Sequence, residues 1–235
     1  MFRTIVVVIR LFFYLLSLNR RFRVVKKLSC DDNRKEHDKL VSTYVKEWAE
    51  YVLKISGVNI SVSGIENIPD ETVIFVCNHR SFFDIPVVLA CLDKPYGLMS
   101  KDSVEKIPFL GKWMRELNCV FVDRNNPRKA VRALELVGNN IDNGYSMIIF
   151  PEGTRSKNGE LLKIKTGAFK LAVKKNVSIV PIAMTGTDDV FEKNNLKIVP
   201  GNVTLKVLPK IAVTSDSNYK DLMDMAHDVI QKNLV

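Results

Sequence analysis

Val73-Ile74-Phe75-Val76-Cys77-Asn78-His79-Arg80-Ser81-Phe82-Phe83-Asp84 sets an unbroken apolar run directly before a polar loop and a second apolar segment. An apolar run of this length, bounded by polar residues, reads as a strand buried on both faces. The segment after it, 82–91, reads as a helix. A strand that feeds a helix through a short polar loop is the building unit of a parallel sheet. The pattern recurs along the chain. Strands are predicted at 73–77, 118–122, 145–150, 178–183 and 203–208, and helices at 82–91, 103–116, 127–142, 165–175 and 219–233, with Asn126-Pro127 and Asp142-Asn143-Gly144 as punctuation. The expectation is an α/β domain over 57–235 with a largely parallel sheet flanked by helices. Ligands of such sheets gather at the carboxyl ends of the strands. His79, Arg124 and Glu152 each follow a predicted end.

The 235 residues, 46% of them hydrophobic, are enough for one substantial core. No second globular domain is expected. The formal charge of +9 is unevenly placed: Arg3, Arg10, Arg20, Arg21, Arg23, Lys26 and Lys27 lie within the first 27 residues, which contain no acid. Such a cluster suits anionic lipid headgroups, whereas the nearly balanced remainder gives little reason to expect nucleic acid.

Between those basic residues lies an apolar stretch, 4–18, interrupted by Arg10. It falls short of the roughly 20 residues needed to cross a bilayer core. An interfacial helix fits better, with Arg10 snorkelling and the Arg20–Lys27 cluster at the headgroups. A secretory signal is the rival, but no convincing small-x-small cleavage site follows. Residues 34–56 repeat Leu40, Tyr44, Trp48, Val52 and Ile55 at helical spacing and end at Gly57. That helix packs on the body or lies on the membrane beside the first; periodicity does not separate the two. Residues 1–56 are therefore read as N-terminal interfacial or membrane helices, with 4–18 either lying in the interface or spanning, which places the protein at the cytoplasmic face of a membrane as a monotopic or singly anchored protein. Cys30, Cys77, Cys91 and Cys119 show no metal-type spacing, and Cys77 and Cys119 sit in apolar runs, as expected of thiols in a reducing compartment.

Three histidines occur, and His37 and His227 lie in charged or polar segments, so His79 is the candidate for proton transfer near neutral pH. Two readings compete for its loop. Ser81 with Asp84 three residues on is a helix-start pattern. Alternatively, Asp84 orients the imidazole of His79, which removes a proton from a hydroxyl. No Gly-x-Ser-x-Gly turn occurs to supply a protein nucleophile, so that hydroxyl is assigned to a substrate alcohol. Backbone amides at the helix start are expected to stabilise the oxyanion.

A second polar cluster, Phe150-Pro151-Glu152-Gly153-Thr154-Arg155-Ser156, follows the run Met147-Ile148-Ile149. Arg155 offers a forked donor for phosphate or carboxylate, and Gly153 permits close backbone approach. Arg124 ends Val120-Phe121-Val122-Asp123 at an equivalent place. A lone arginine after a strand is usually a surface residue. Two arginines, a glutamate and the dyad at successive strand ends favour an anion site.

These blocks resemble the glycerophospholipid acyltransferase family, most closely the enzymes that acylate 1-acylglycerol 3-phosphate. Asn78 to Asp84 matches the family's His-x4-Asp block, Phe150 to Ser156 its most diagnostic block, and Val180-Pro181-Ile182-Ala183 its fourth. One departure is Asn118, where the second block commonly carries glycine. The resemblance implies that His79 is the base and Asp84 its partner, and that Lys101, Arg124, Glu152, Gly153, Thr154 and Arg155 form the acceptor site. It places Val180, Pro181 and Ile182 on the acyl or donor side. It also implies acyl transfer from acyl-CoA or acyl carrier protein to the 2-hydroxyl of a lysophosphatidic acid, giving phosphatidic acid, with no metal and no bound cofactor. The expected partners are the phospholipid bilayer, the lysophospholipid and the acyl donor. Related acceptors (glycerol 3-phosphate, another lysophospholipid, a lipidated amino acid) stay open, as does a non-catalytic lipid-binding role.

Overall fold

A computed structural model describes residues 2–28, 33–94 and 96–234. Its centre is a seven-stranded sheet of β1 (Val58–Ser63), β2 (Ile74–Cys77), β3 (Tyr96–Lys101), β4 (Val120–Val122), β5 (Ser146–Ile149), β6 (Ile179–Thr185) and β7 (Gly201–Val207). Their spatial order is β1-β7-β6-β2-β5-β3-β4. Every neighbouring pair is parallel except β6 with β7. The three central strands β2, β5 and β6 are buried along nearly their whole length, which is why they read as continuous apolar runs.

Successive residues of β2 face opposite layers. Phe75 and Cys77 pack toward α1 (Phe2–Leu28), α2 (Arg34–Ser56) and α3 (Asp84–Cys91), whereas Ile74 and Val76 pack toward α6 (Pro127–Asp142), α7 (Gly167–Lys175) and α9 (Tyr219–Lys232). Two cores thus lie on the two faces of one sheet. Asn126 starts α6 by accepting hydrogen bonds from the backbone N–H groups of Arg128 and Lys129, with Pro127 in the first turn. Gly57 ends α2 at φ 73°.

Two strands, β1 and β3, lie outside the sequence-predicted set. The predicted helix 103–116 is divided into α4 (Asp102–Glu105) and α5 (Leu110–Glu116). The break falls at Ile107-Pro108, with Phe109 at φ 66°. The remaining helix, α8 (Thr187–Val190), is a single turn after β6.

The N-terminal apolar segment forms a longer helix than its apolar run suggests, because α1 continues through the basic cluster for 27 residues. It is long and apolar enough to cross a membrane by length and composition. One face is docked along the body from end to end. The backbone N–H of Ile198 donates to Thr4 Oγ1 at 2.9 Å, Tyr14 stacks on Tyr51 at 4.4 Å, Phe22 meets Trp113 edge-on at 5.5 Å, and Lys26 pairs with Glu116 at 2.7 Å. The opposite face leaves Phe2, Ile5, Val8, Ile9, Phe12 and Phe13 exposed. Helix α2 buries Val41, Val45, Ala49, Val52 and Leu53 in the same core as β2, so it packs on the body.

His37 joins this framework: its ring nitrogens lie 3.1 Å from Asp38 and from Glu116. Cys77 is fully buried, and burial pushes the thiols of Cys91 to about 11 and Cys119 to about 12. Cys30 lies outside the described residues.

Candidate active site

The loop after β2 is fixed before any side chain acts. Asn78, buried at the strand end, donates through Nδ2 to the carbonyl of Met184 at 2.9 Å and accepts from the Met184 N–H at 2.8 Å. This pairing extends β2 against β6 by one residue. The carbonyl of His79 accepts from the N–H of Ser156 at 2.8 Å, and its N–H donates to Glu152 Oε1 at 2.5 Å. The backbone of His79 is therefore held on both sides by the loop that follows β5.

Asp84 settles the competition between the helix-start and dyad readings, because one oxygen does both. Oδ2 accepts from the N–H groups of Arg80 at 2.7 Å and Ser81 at 2.8 Å and lies 2.7 Å from Nδ1 of His79. The carboxylate is fully buried. As an acceptor it places the proton on Nδ1, which leaves the lone pair of Nε2 for a substrate. The ring also packs on Phe150 with centroids 4.5 Å apart.

The same hydrogen bonds correct one expectation. The N–H groups of Arg80 and Ser81 are taken by Asp84, that of Phe82 by Glu192 at 2.9 Å and that of Phe83 by Ser81 Oγ at 3.0 Å. The helix-start amides are committed to holding the loop and do not form an oxyanion hole.

His79 lines a cavity of about 580 Å³, a size ordinary for a small-molecule site. Lys101, Arg124, Thr154 and Arg155 line it as well. Arg124 is half-buried, and burial, followed by the nearby positive charge of Arg155, holds its pKa below the ordinary value. An anion between the two guanidiniums would relieve both penalties. Most of the remaining lining is apolar and is drawn from several helices, among them Leu15 and Leu18 of α1, Trp48 of α2, Leu89 of α3, Val104 of α4 and Trp113 of α5, with Ser100 and Ser103 as polar exceptions.

Glu152 and Gly153, expected in the acceptor site, do not line this cavity. Glu152 is buried and spends both oxygens on backbone, Oε1 on His79 and Oε2 on the N–H of Leu162 at 2.9 Å. Its role is to set the loop around His79. Gly153 sits at φ 71°, a left-handed turn that L side chains rarely adopt. Val180, Pro181 and Ile182, expected on the acyl or donor side, lie within β6 in the sheet interior and also stay off the cavity. They pair with Phe75, Val76 and Cys77 and so support the strand that carries His79.

Asn118 has φ 57°, the conformation for which glycine is suited, and its carbonyl accepts from Asn140 Nδ2 at 2.8 Å. The replacement keeps the turn. Sequence reasoning missed Glu192, which accepts from Ser81 Oγ at 2.5 Å and from Arg155 Nη1 at 2.6 Å. It lies in a short polar stretch with no motif to mark it.

Comparison with known proteins gives a consistent set of likenesses. A protein-family model described as Acyltransferase matches residues 59–185. A chloroplastic 1-acyl-sn-glycerol-3-phosphate acyltransferase of Arabidopsis thaliana is 38% identical over 147 residues, which are 61% of this chain and 41% of that protein. The 1-acyl-sn-glycerol-3-phosphate acyltransferase of Borreliella burgdorferi is 32% identical over 185 residues, 77% of this chain and 74% of that protein. Several plant relatives are longer: the match spans about half of the Cocos nucifera enzyme, 51%. Among solved structures, the 1-acyl-sn-glycerophosphate acyltransferase PlsC of Thermotoga maritima superposes with a TM-score of 0.83 at 28% identity, covering 99% of this chain and 95% of that one.

Proposed function

This chain belongs to the acyltransferase family, and from that premise we propose that it transfers an acyl chain from a thioester to the 2-hydroxyl of 1-acylglycerol 3-phosphate, forming phosphatidic acid. The observation that carries the reading is that one cavity joins the His79–Asp84 pair to two arginines and a largely apolar lining. A lysophosphatidic acid has the matching parts: a phosphate, a hydroxyl two carbons further on, and an alkyl chain.

In this scheme Arg124 and Arg155 take the phosphate with forked, charge-assisted hydrogen bonds, assisted by Lys101 at the end of β3. His79 Nε2 accepts the proton of the 2-hydroxyl as its oxygen attacks the thioester carbonyl. Asp84 stabilises the imidazolium that forms. Collapse of the tetrahedral intermediate breaks the carbon–sulfur bond, and the imidazolium returns the proton to the departing thiolate. General-base assistance of this kind contributes about 10²–10⁴-fold in rate. The thioester supplies the activation, with acyl-CoA or acyl carrier protein as the donor.

Helix α1 is proposed to lie in the membrane interface at the cytoplasmic face. Contacts with the body at Thr4, Tyr14, Phe22 and Lys26 tie both of its ends to the same globular surface. A helix held in that way keeps its length against the body, so its exposed Phe and Ile residues meet lipid sideways. Leu15 and Leu18 line the cavity from the same helix, which supports a route for the acceptor beside the bilayer.

The test is acyl transfer by the full-length protein in mixed micelles, with lysophosphatidic acid as acceptor and each of the two thioesters as donor. Phosphatidic acid should form with at least one donor, and His79→Ala should abolish it while lipid binding persists. Turnover undiminished in His79→Ala would remove the mechanism, and preference for another acceptor would reassign the substrate.

A further inference from the structure

Glu192 lies in a 3-10 turn, Glu192–Asn194, after α8, outside every block that resembles the family. Its two oxygens make three contacts with two parts of the site. Oε2 accepts from Ser81 Oγ at 2.5 Å, and Oε1 accepts from the N–H of Phe82 at 2.9 Å and from Arg155 Nη1 at 2.6 Å. The guanidinium carbon of Arg155 stands 3.6 Å from the centre of the Phe82 ring. Arg155 is thus clamped at one nitrogen by a carboxylate and on one face by an aromatic ring.

This clamp has a consequence for the cavity. An arginine has five N–H donors in a planar fork, so fixing one nitrogen and one face fixes the direction of the others. Arg155 lines the cavity beside Arg124, whose pKa is held down first by burial and then by the charge of Arg155, so the two guanidiniums repel one another. The negative charge of Glu192 holds Arg155 in place against that repulsion. The pair is partly shielded, with side chains 33% and 21% exposed, and is worth more than a fully solvated one.

We propose that Glu192 is a positioning residue for the acceptor's phosphate and that it acts through Arg155. The proposal rests on the reading of this cavity as a lysophosphatidic acid site. A different route is conceivable through Ser81 and Phe82, because these residues follow His79 closely. The two routes leave different signatures. Loss of Arg155 orientation weakens phosphate binding, which is uniform binding energy and enters KM. Disturbance of the 81–82 turn moves the dyad, lowers kcat and shifts the pH–rate profile.

The experiment compares Glu192→Gln, Arg155→Ala and the double variant in the full-length protein. KM and kcat are measured with lysophosphatidic acid in mixed micelles, and Kd for the same lipid is measured in a His79→Ala background. Glu192→Gln should raise Kd and KM about 10-fold, the size expected for one charge-assisted hydrogen bond, with kcat within about twofold and an unchanged pH profile. In the double variant Kd should equal that of Arg155→Ala alone, because the two residues act as one unit. Should thermal melting show Glu192→Gln unfolded, Glu192→Asp keeps the charge at shorter reach and must show the same loss of effect once Arg155 is gone. An unchanged Kd, or a full additional factor in the double variant, overturns the proposal. Absence of turnover in the wild type, with coupled Kd values intact, would instead remove acyl transfer and leave the Glu192 assignment standing.

Discussion

Oδ2 of Asp84 lies 2.7 Å from Nδ1 of His79 and is also the acceptor for the N–H groups of Arg80 and Ser81. A single buried oxygen therefore orients the imidazole and shapes the loop that carries it. The other oxygen, Oδ1, is buried with no hydrogen-bond partner among the described residues. Leaving an acceptor unpaired costs free energy, and here it accompanies a carboxylate placed behind the ring rather than toward solvent.

Removing each member of this pair has a different expected outcome. His79→Ala should lower kcat by at least about 10²–10⁴-fold, the contribution of a general base. Its melting temperature should fall less than that of Asp84→Asn, since it loses the ring's contacts with Asp84 and Phe150 but keeps the backbone contacts that hold the loop. Asp84→Asn should lower kcat comparably and also depress the melting temperature, because its amide cannot supply the negative charge that the loop donors face. Kinetics and thermal melting on the two variants check this together.

Glu152 has a raised pKa, with burial as the main cause, partly offset by the N–H groups of Leu162 and His79. The sign follows from linkage: a carboxyl that holds its proton more tightly in the folded state favours folding below the unfolded pKa and loses that advantage as pH rises through the folded one. Glu152→Gln removes the ionisation and one acceptor. Its destabilisation relative to wild type should therefore be larger at pH 4 than at pH 7. Urea unfolding at the two pH values measures the difference, and the opposite order would contradict the burial argument.

What was legible in the sequence follows the range of the forces involved. The central strands were readable because burial on both faces makes them continuous apolar runs. Strand β1 (Val58–Ser63) was not, since it lies at the sheet edge with mostly exposed or half-buried residues and carries Asn59, Ser61 and Ser63. Strand β3 (Tyr96–Lys101) contains Gly97, where a Cβ would stand 2.5 Å from the carbonyl oxygen of Asn118; close packing demands a residue of weak strand propensity there. His79, Asp84, Arg124 and Arg155 were legible by chemical type at strand ends. The scaffolding role of Glu152 and the clamp from Glu192 were not, because both depend on which backbone groups happen to lie nearby after folding.

Arg124 should act on binding rather than on turnover. It lines the cavity beside Arg155, away from the proton transfer assigned to His79. Arg124→Ala is expected to raise KM for lysophosphatidic acid about 10–100-fold, the loss of one to two charge-assisted hydrogen bonds, with kcat changed by less than about threefold. Steady-state kinetics over acceptor concentration separates the two parameters.

Asn118 offers a test of backbone geometry at the departure from the family pattern. At φ 57° a β-branched residue is strained, so Asn118→Val should cost about 1–3 kcal/mol. Asn118→Gly suits the left-handed backbone and keeps the carbonyl that Asn140 binds, so it should stay within about 1 kcal/mol of wild type. Chemical denaturation gives both values.

The exposed face of α1 carries the last prediction. Phe12 and Phe13 are 55% and 63% exposed, whereas Val7, Leu18 and Val25 on the docked face are buried. Apolar side chains on the outer face stabilise the folded protein little, so their exposure in water is a cost that a lipid interface removes. Phe12→Asp with Phe13→Asp should therefore release the protein from anionic phospholipid vesicles while leaving its melting temperature nearly unchanged. Neutralising Arg20 and Arg23 should weaken vesicle binding by about 1 kcal/mol per charge, an effect that shrinks as salt is raised. Co-sedimentation with vesicles at two ionic strengths distinguishes the apolar from the electrostatic contribution. Binding by the double aspartate variant equal to wild type would mean that this face does not meet the bilayer.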